Sequence, residues 1–117
     1  MAITVTSPQS DKAGWIKNAT SADASGTEEI IAAPAAGTSH YIRSISINSA
    51  ATISVTIGAG ETGGAVTAAL IGPVNLVAGQ TANFVFNPAM QVGAATALTV
   101  DASGAGAICV VAQGETY

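Results

Sequence analysis

Tyr41-Ile42-Arg43-Ser44-Ile45-Ser46-Ile47-Asn48-Ser49-Ala50-Ala51-Thr52-Ile53-Ser54-Val55-Thr56-Ile57 holds two apolar alternations joined by a short polar link. Tyr41, Ile45 and Ile47 alternate with Ile42, Ser44, Ser46 and Asn48, and Ile53, Val55 and Ile57 alternate with Ser54 and Thr56. A period of two puts successive side chains on opposite faces of an extended chain, so each run reads as a half-buried strand. Asn48 to Thr52 is short enough for a hairpin loop. The expectation is a β-hairpin whose Ile/Val face lies in a core and whose Ser/Thr face meets solvent or a partner.

Outward from this stretch the same pattern repeats. Glu28 to Ala33 reads as a strand ended by Pro34, and Pro34 to Thr38 as a turn. Gly58 to Gly64 is a glycine-rich loop, Ala65 to Ile71 a weak strand, and Gly72-Pro73 a turn before the short extended Val74 to Val77. Thr81 to Asn87 carries Ala82, Phe84 and Phe86 on one face and is stopped by Pro88; Met90 to Val92 reads as a short edge strand. Leu98, Val100 and Ala102 alternate with Thr99 and Asp101. Ala107 to Gln113 is apolar on both faces, which places it centrally in a sheet. About eight short strands separated by turn residues, with no capped helix-period segment, predict an all-β antiparallel sandwich of jelly-roll type.

Composition points the same way. A chain of 117 residues has room for one domain. Its 49% hydrophobic content includes 25 Ala against 11 Ile, 10 Val and 3 Leu, and the large aliphatics are therefore mostly β-branched, which favours pleated sheet. Ala buries little area, so each contact it makes is weak. Charged residues are only 9%, against roughly 25% in an ordinary soluble domain. Much of the surface is therefore expected to be covered by copies of the chain or by another protein. A net charge of -4 with three fixed cations, Lys12, Lys17 and Arg43, argues against nucleic acid and against an anionic membrane. The start lacks a basic region and an apolar stretch, so no signal peptide is read, and synthesis in a cytoplasm is expected.

Residues 1–26 are small and polar and read as an N-terminal arm preceding a sandwich over 27–117. Ile3, Val5, Trp15 and Ile16 are its bulky apolar residues and the candidate interface residues. Trp15 either packs on the chain's own sandwich or anchors into a neighbouring subunit.

Chemistry-bearing patterns are sparse. Gly58-x-Gly60-x-x-Gly63 has dinucleotide-binding spacing, but β-branched Val66 and Thr67 and then Pro73 follow where a helix must start, and residues 74–90 contain no acid for a ribose. No cofactor site is read. His40 is the only histidine; Ser39 beside it points the other way on a strand, and an approach by Asp101 has no support in the pattern. A zinc site needs three or four ligands, and the chain has one His and one Cys. Asp11, Asp23, Glu28, Glu29, Glu61 and Asp101 lack EF-hand spacing, leaving a calcium ion shared between subunits as the one metal reading still open. Glu28-Glu29 reads as a solvated strand entry rather than an acid/base pair. The lone Cys109 reads as a buried, inert thiol. Neither catalytic nor metal-ligating residues are assigned.

From Thr27-Glu28-Glu29-Ile30-Ile31, through the Tyr41–Ile47 and Ile53–Ile57 strands, to Phe84-Val85-Phe86-Asn87-Pro88, Gly93 to Val100 and Ile108-Cys109-Val110-Val111, the chain resembles the small capsid decoration (cement) and head-associated structural proteins of tailed bacteriophages. The resemblance implies a non-enzymatic sandwich on the virion surface, made in the host cytoplasm and bound to the major capsid protein, often as a homotrimer that bridges neighbouring capsid subunits. The alternative is a tail, fibre or adhesion module that binds a host-surface glycan. That reading requires exposed aromatic residues, for which Trp15, Tyr41 and Tyr117 are the candidates.

Overall fold

The computed structural model describes residues 3–10, 14–21, 26–60 and 68–117, and among these it has nine strands and no helix. They are β1 (Ile3–Ser10), β2 (Gly14–Ser21), β3 (Gly26–Ile31), β4 (Ser39–Ser49), β5 (Ile53–Ala59), β6 (Ala68–Leu76), β7 (Thr81–Ala94), β8 (Leu98–Ala102) and β9 (Ile108–Thr116). All pairs are antiparallel, in a five-stranded sheet ordered β1-β2-β9-β4-β7 and a four-stranded sheet ordered β3-β8-β5-β6.

The pairing is nested. With β1 set aside, the first strand pairs with the last and so on inward: β2 with β9, β3 with β8, β4 with β7, β5 with β6. This order, eight strands folded back on themselves across two sheets, is the jelly roll expected from the strand count. β9 is the middle strand of the larger sheet, as its apolar run required.

The core lies between the sheets. Ile42, Ile45, Ile47, Val110 and Ala112 come from one side and Val55, Ile57, Leu98 and Val100 from the other, all fully buried. The two halves of the Tyr41–Ile57 stretch therefore face each other across the core; they are not paired as a hairpin. β4 bonds to β7 and β9, and β5 to β6 and β8. The link is held by Ser49 N–H on the Gln80 carbonyl (3.1 Å) and Ala50 N–H on the Ala107 carbonyl (2.9 Å), which carry the chain from one sheet to the other. Two alternating runs bury their apolar faces equally well by stacking, and period two does not distinguish stacking from pairing.

Three further expectations change. The described parts of residues 1–26 pair with the sandwich: β1 and β2 extend the larger sheet, with β2 hydrogen-bonded along β9 from Gly14↔Glu115 to Ser21↔Ile108. Backbone pairing on β9 offsets the weak apolar content of this segment. Pro73 and Pro88 do not end their strands. Each follows a cis peptide bond inside a strand and sits where the register shifts, Gly72 and Pro73 lying between Val74↔Val55 and Ile71↔Ile57. At Gly72 (φ +100°) an added Cβ would stand 2.7 Å from the Val55 carbonyl oxygen, so the crossing requires glycine. The glycine-rich loop falls partly in 61–67, outside the described residues, as do Asp11, Asp23 and Glu61.

Candidate functional site

In an antiparallel sheet, directly opposed residues share a face. The register thus gives the outer face of the larger sheet row by row. One row is Thr4, Thr20, Cys109, Asn48 and Thr81. The next contains Asn18, Val111, Ser46 and Asn83, and the third Ile16, Gln113, Ser44 and Val85. None of these side chains is charged. They are tied laterally: Ser46 Oγ donates to Asn83 Oδ1 (2.6 Å), Asn48 Nδ2 to Thr81 Oγ1 (2.9 Å) and Cys109 Sγ to Asn18 Oδ1 (3.4 Å). Val85 is 80% exposed and Val111 40%, so two aliphatic groups stand out of this hydroxyl and amide field. Where the first row ends, an open depression of about 450 Å³ is lined by residues including Thr4, Thr20, Asn48, Ala50 and Cys109.

The opposite end of the same face is different in kind. Glu115 lies across from Tyr41, which lies across from Gln91. Arg43 is the extra residue of a bulge, because Ile42↔Gly114 is followed on β9 by Ser44↔Gln113. It forms an ion pair with Glu115, contacting the carboxylate through both Nε and Nη2. The Tyr41 and Tyr117 rings stack at 4.5 Å with 13° between their planes.

Beneath this end lies a closed polar network. Ala32 O is only an acceptor, so His40 Nε2, 2.8 Å away, carries the proton and donates to it. His40 Nδ1 is then an acceptor, and Thr116 Oγ1 donates to it at 2.7 Å. The same hydroxyl oxygen accepts from Trp15 Nε1 at 2.9 Å. The Trp15 and His40 rings meet edge to face at 6.0 Å. Among the described residues no buried side-chain nitrogen or oxygen lacks a partner.

The four expected interface residues separate. Trp15 is 5% exposed and belongs to the chain's own core, and Ile3 and Val5 pack against that core. Of the two readings of Trp15, packing on the chain's own sandwich is the one its burial matches, and Gly114 leaves room for its ring there: a Cβ at 114 would stand 2.7 Å from Trp15 Cζ2. Ile16 alone is on the outer face. Cys109 is half-buried on that face rather than sealed in the core. His40 is buried with both ring nitrogens engaged, and Asp101 lies between Thr27 and Thr56 on the other sheet, so the two are not brought together. Glu28 accepts from Ser21 Oγ (3.2 Å) and Glu29 is exposed. Among the described residues no three His, Cys, Asp or Glu side chains converge as a metal site. The uncharged rows and the Tyr41–Tyr117 stack were not identified from sequence, because both depend on register between strands far apart in the chain. The chain matches no family model, no curated protein and no solved structure.

Proposed function

We propose that this protein is a non-enzymatic structural component of a tailed-phage virion, which decorates the outer capsid lattice and cements neighbouring subunits of the major capsid protein, acting as a homotrimer. The observation that carries the reading is the outer face of the larger sheet: three successive rows without a charge, with Val85 and Val111 exposed among hydroxyls and amides. A face left to water normally carries a share of charge. Hydroxyls and amides lose less than charges do when another protein covers them.

Magnitude favours a lattice over a one-to-one complex. Five strands about 4.8 Å apart and three rows about 6.6 Å apart span roughly 500 Å². A stable pairwise complex covers about 800 Å² on each partner. A face of this size holds by repetition, where linked copies rebind at high effective concentration.

The test is co-sedimentation with capsids from the same source that lack their own copy of this chain. Saturable binding at a fixed ratio to the capsid subunit is expected, and Val111→Arg, at the centre of the face, should abolish it while moving stability by no more than about 0.5 kcal/mol. Failure to bind both expanded and unexpanded shells would overturn the proposal.

A further inference from the structure

Among the described residues, the Tyr41 end of the larger sheet has a composition found nowhere else on that face. Tyr117 is 63% exposed, its ring backed by Tyr41 in a near-parallel stack. Its backbone is fixed on both sides of Ser39: Ser39 N–H donates to the Tyr117 carbonyl (2.9 Å) and Tyr117 N–H to the Ser39 carbonyl (3.1 Å). The result is a flat aromatic surface held in place before any ligand arrives, which lowers the ordering cost of binding. Around it stand three planar polar groups. Both Arg43 contacts run to Glu115 Oε1, so Oε2 is not used by the ion pair. Gln91 donates through Nε2 to Ser39 Oγ (3.1 Å), a bond that does not use its amide oxygen.

A ligand matching this arrangement needs an apolar face for the ring and hydroxyls at its edge. A pyranose has both: weakly positive C–H groups that sit against the negative face of an aromatic ring, and vicinal hydroxyls that donate to carboxylate and amide oxygens and accept from a guanidinium. The Arg43–Glu115 couple sums to zero charge, which selects a neutral sugar over a charged one. A proline ring would also stack on Tyr117, but it brings no hydroxyl for Glu115 or Gln91. We propose that Tyr117, backed by Tyr41, together with Glu115, Arg43 and Gln91, binds a single neutral hexopyranose residue of a glycan. The proposal does not rest on capsid binding, and the two fail separately: Val111→Arg acts on the lattice face and Tyr117→Ala on the sugar site.

The experiment is an amide-shift titration of the full chain by NMR with methyl β-D-glucopyranoside, methyl β-D-galactopyranoside and methyl α-D-mannopyranoside. One exposed ring supports affinity only in the range of about 1–10 mM, so titration runs to about 50 mM. At least one sugar should give saturable shifts confined to residues 39–43, 91 and 115–117. Tyr117→Ala should weaken binding about tenfold, the size of a lost stacking contact, whereas Tyr117→Phe should retain it. Unchanged Trp15 fluorescence in Tyr117→Ala checks that the sandwich is intact. No saturable shift with any of the three sugars, or an affinity indifferent to Tyr117→Ala, would overturn the proposal.

Discussion

Thr116 joins two buried groups that cannot satisfy each other. Its oxygen accepts from Trp15 and its proton goes to His40, so a single hydroxyl completes a one-way chain from indole to imidazole to the Ala32 carbonyl. Thr116→Val keeps the shape and leaves Trp15 N–H and His40 Nδ1 unpartnered. It should cost about 2–3 kcal/mol, read as a lowered urea midpoint with an unchanged slope. Gly114 has a steric role in the same place. A Cβ there would run into the Tyr41 carbonyl oxygen and stand 2.7 Å from the Trp15 ring. Gly114→Ala should therefore destabilise by about 3 kcal/mol and shift Trp15 emission as the ring is displaced. Neither role was legible in the sequence. His40 and Thr116 are 76 positions apart and Trp15 and Thr116 are 101 apart, and no local pattern marks a pair at such separations.

At the scale of the strand, β4 shows what a period-two reading captures and where it stops. Ile45 and Ile47 share parity, but Ile42 is buried with them although its parity is opposite. The bulge at Arg43 resolves this by adding one residue between them. Deleting Arg43 should bring Ile42, Ser44 and Ile45 into unbroken alternation opposite Gly114, Gln113 and Ala112, so Ile42, Ile45 and Ile47 all keep the core face. Thermal unfolding of that variant should show most of the stability retained, since only the bulge and the Arg43–Glu115 ion pair are lost. Arg43→Ala keeps the bulge and removes only an exposed ion pair, so its midpoint should move by less than about 1 kcal/mol. The existence of β4, β5, β8 and β9 was legible because Ile and Val mark them, as were the core faces of β5, β8 and the Ile45–Ile47 half of β4; the period-two reading puts Tyr41 in place of Ile42 on the core side and assigns β9 no single core face. β1 and β2 were not legible, since Thr, Ser and Asn dominate them and their strand character comes from pairing with each other and with β9. The outer face escaped notice for a related reason: uncharged residues are read as loop or solvent until register aligns them in rows.

For the whole molecule, the nested order defines which parts can be removed. Deleting residues 1–13 takes away β1 and leaves the eight nested strands, with β2 as the new edge; the chain should stay folded and keep Trp15 emission blue-shifted. Deleting residues 1–21 also removes β2, exposes the edge of β9 and takes Trp15 and Ala19 from the core. That variant should aggregate or lose its cooperative transition, and a cooperative, monomeric 22–117 fragment would contradict the assignment of β2 to the body of the sandwich.

The nesting also sets an order in time. β5 and β6 are neighbours in sequence, whereas β4 with β7, β3 with β8 and β2 with β9 close successively longer spans of chain. Loop closure grows costlier with span, and each inner pair already formed shortens the effective span of the next. The chain should therefore zip outward, slowly for its length because most pairings are remote. Substitutions at the Val55–Val74 pair should slow refolding, while those at Trp15 and Gly114 should mainly speed unfolding. As the sole tryptophan, Trp15 would then report the seam that closes last and opens first.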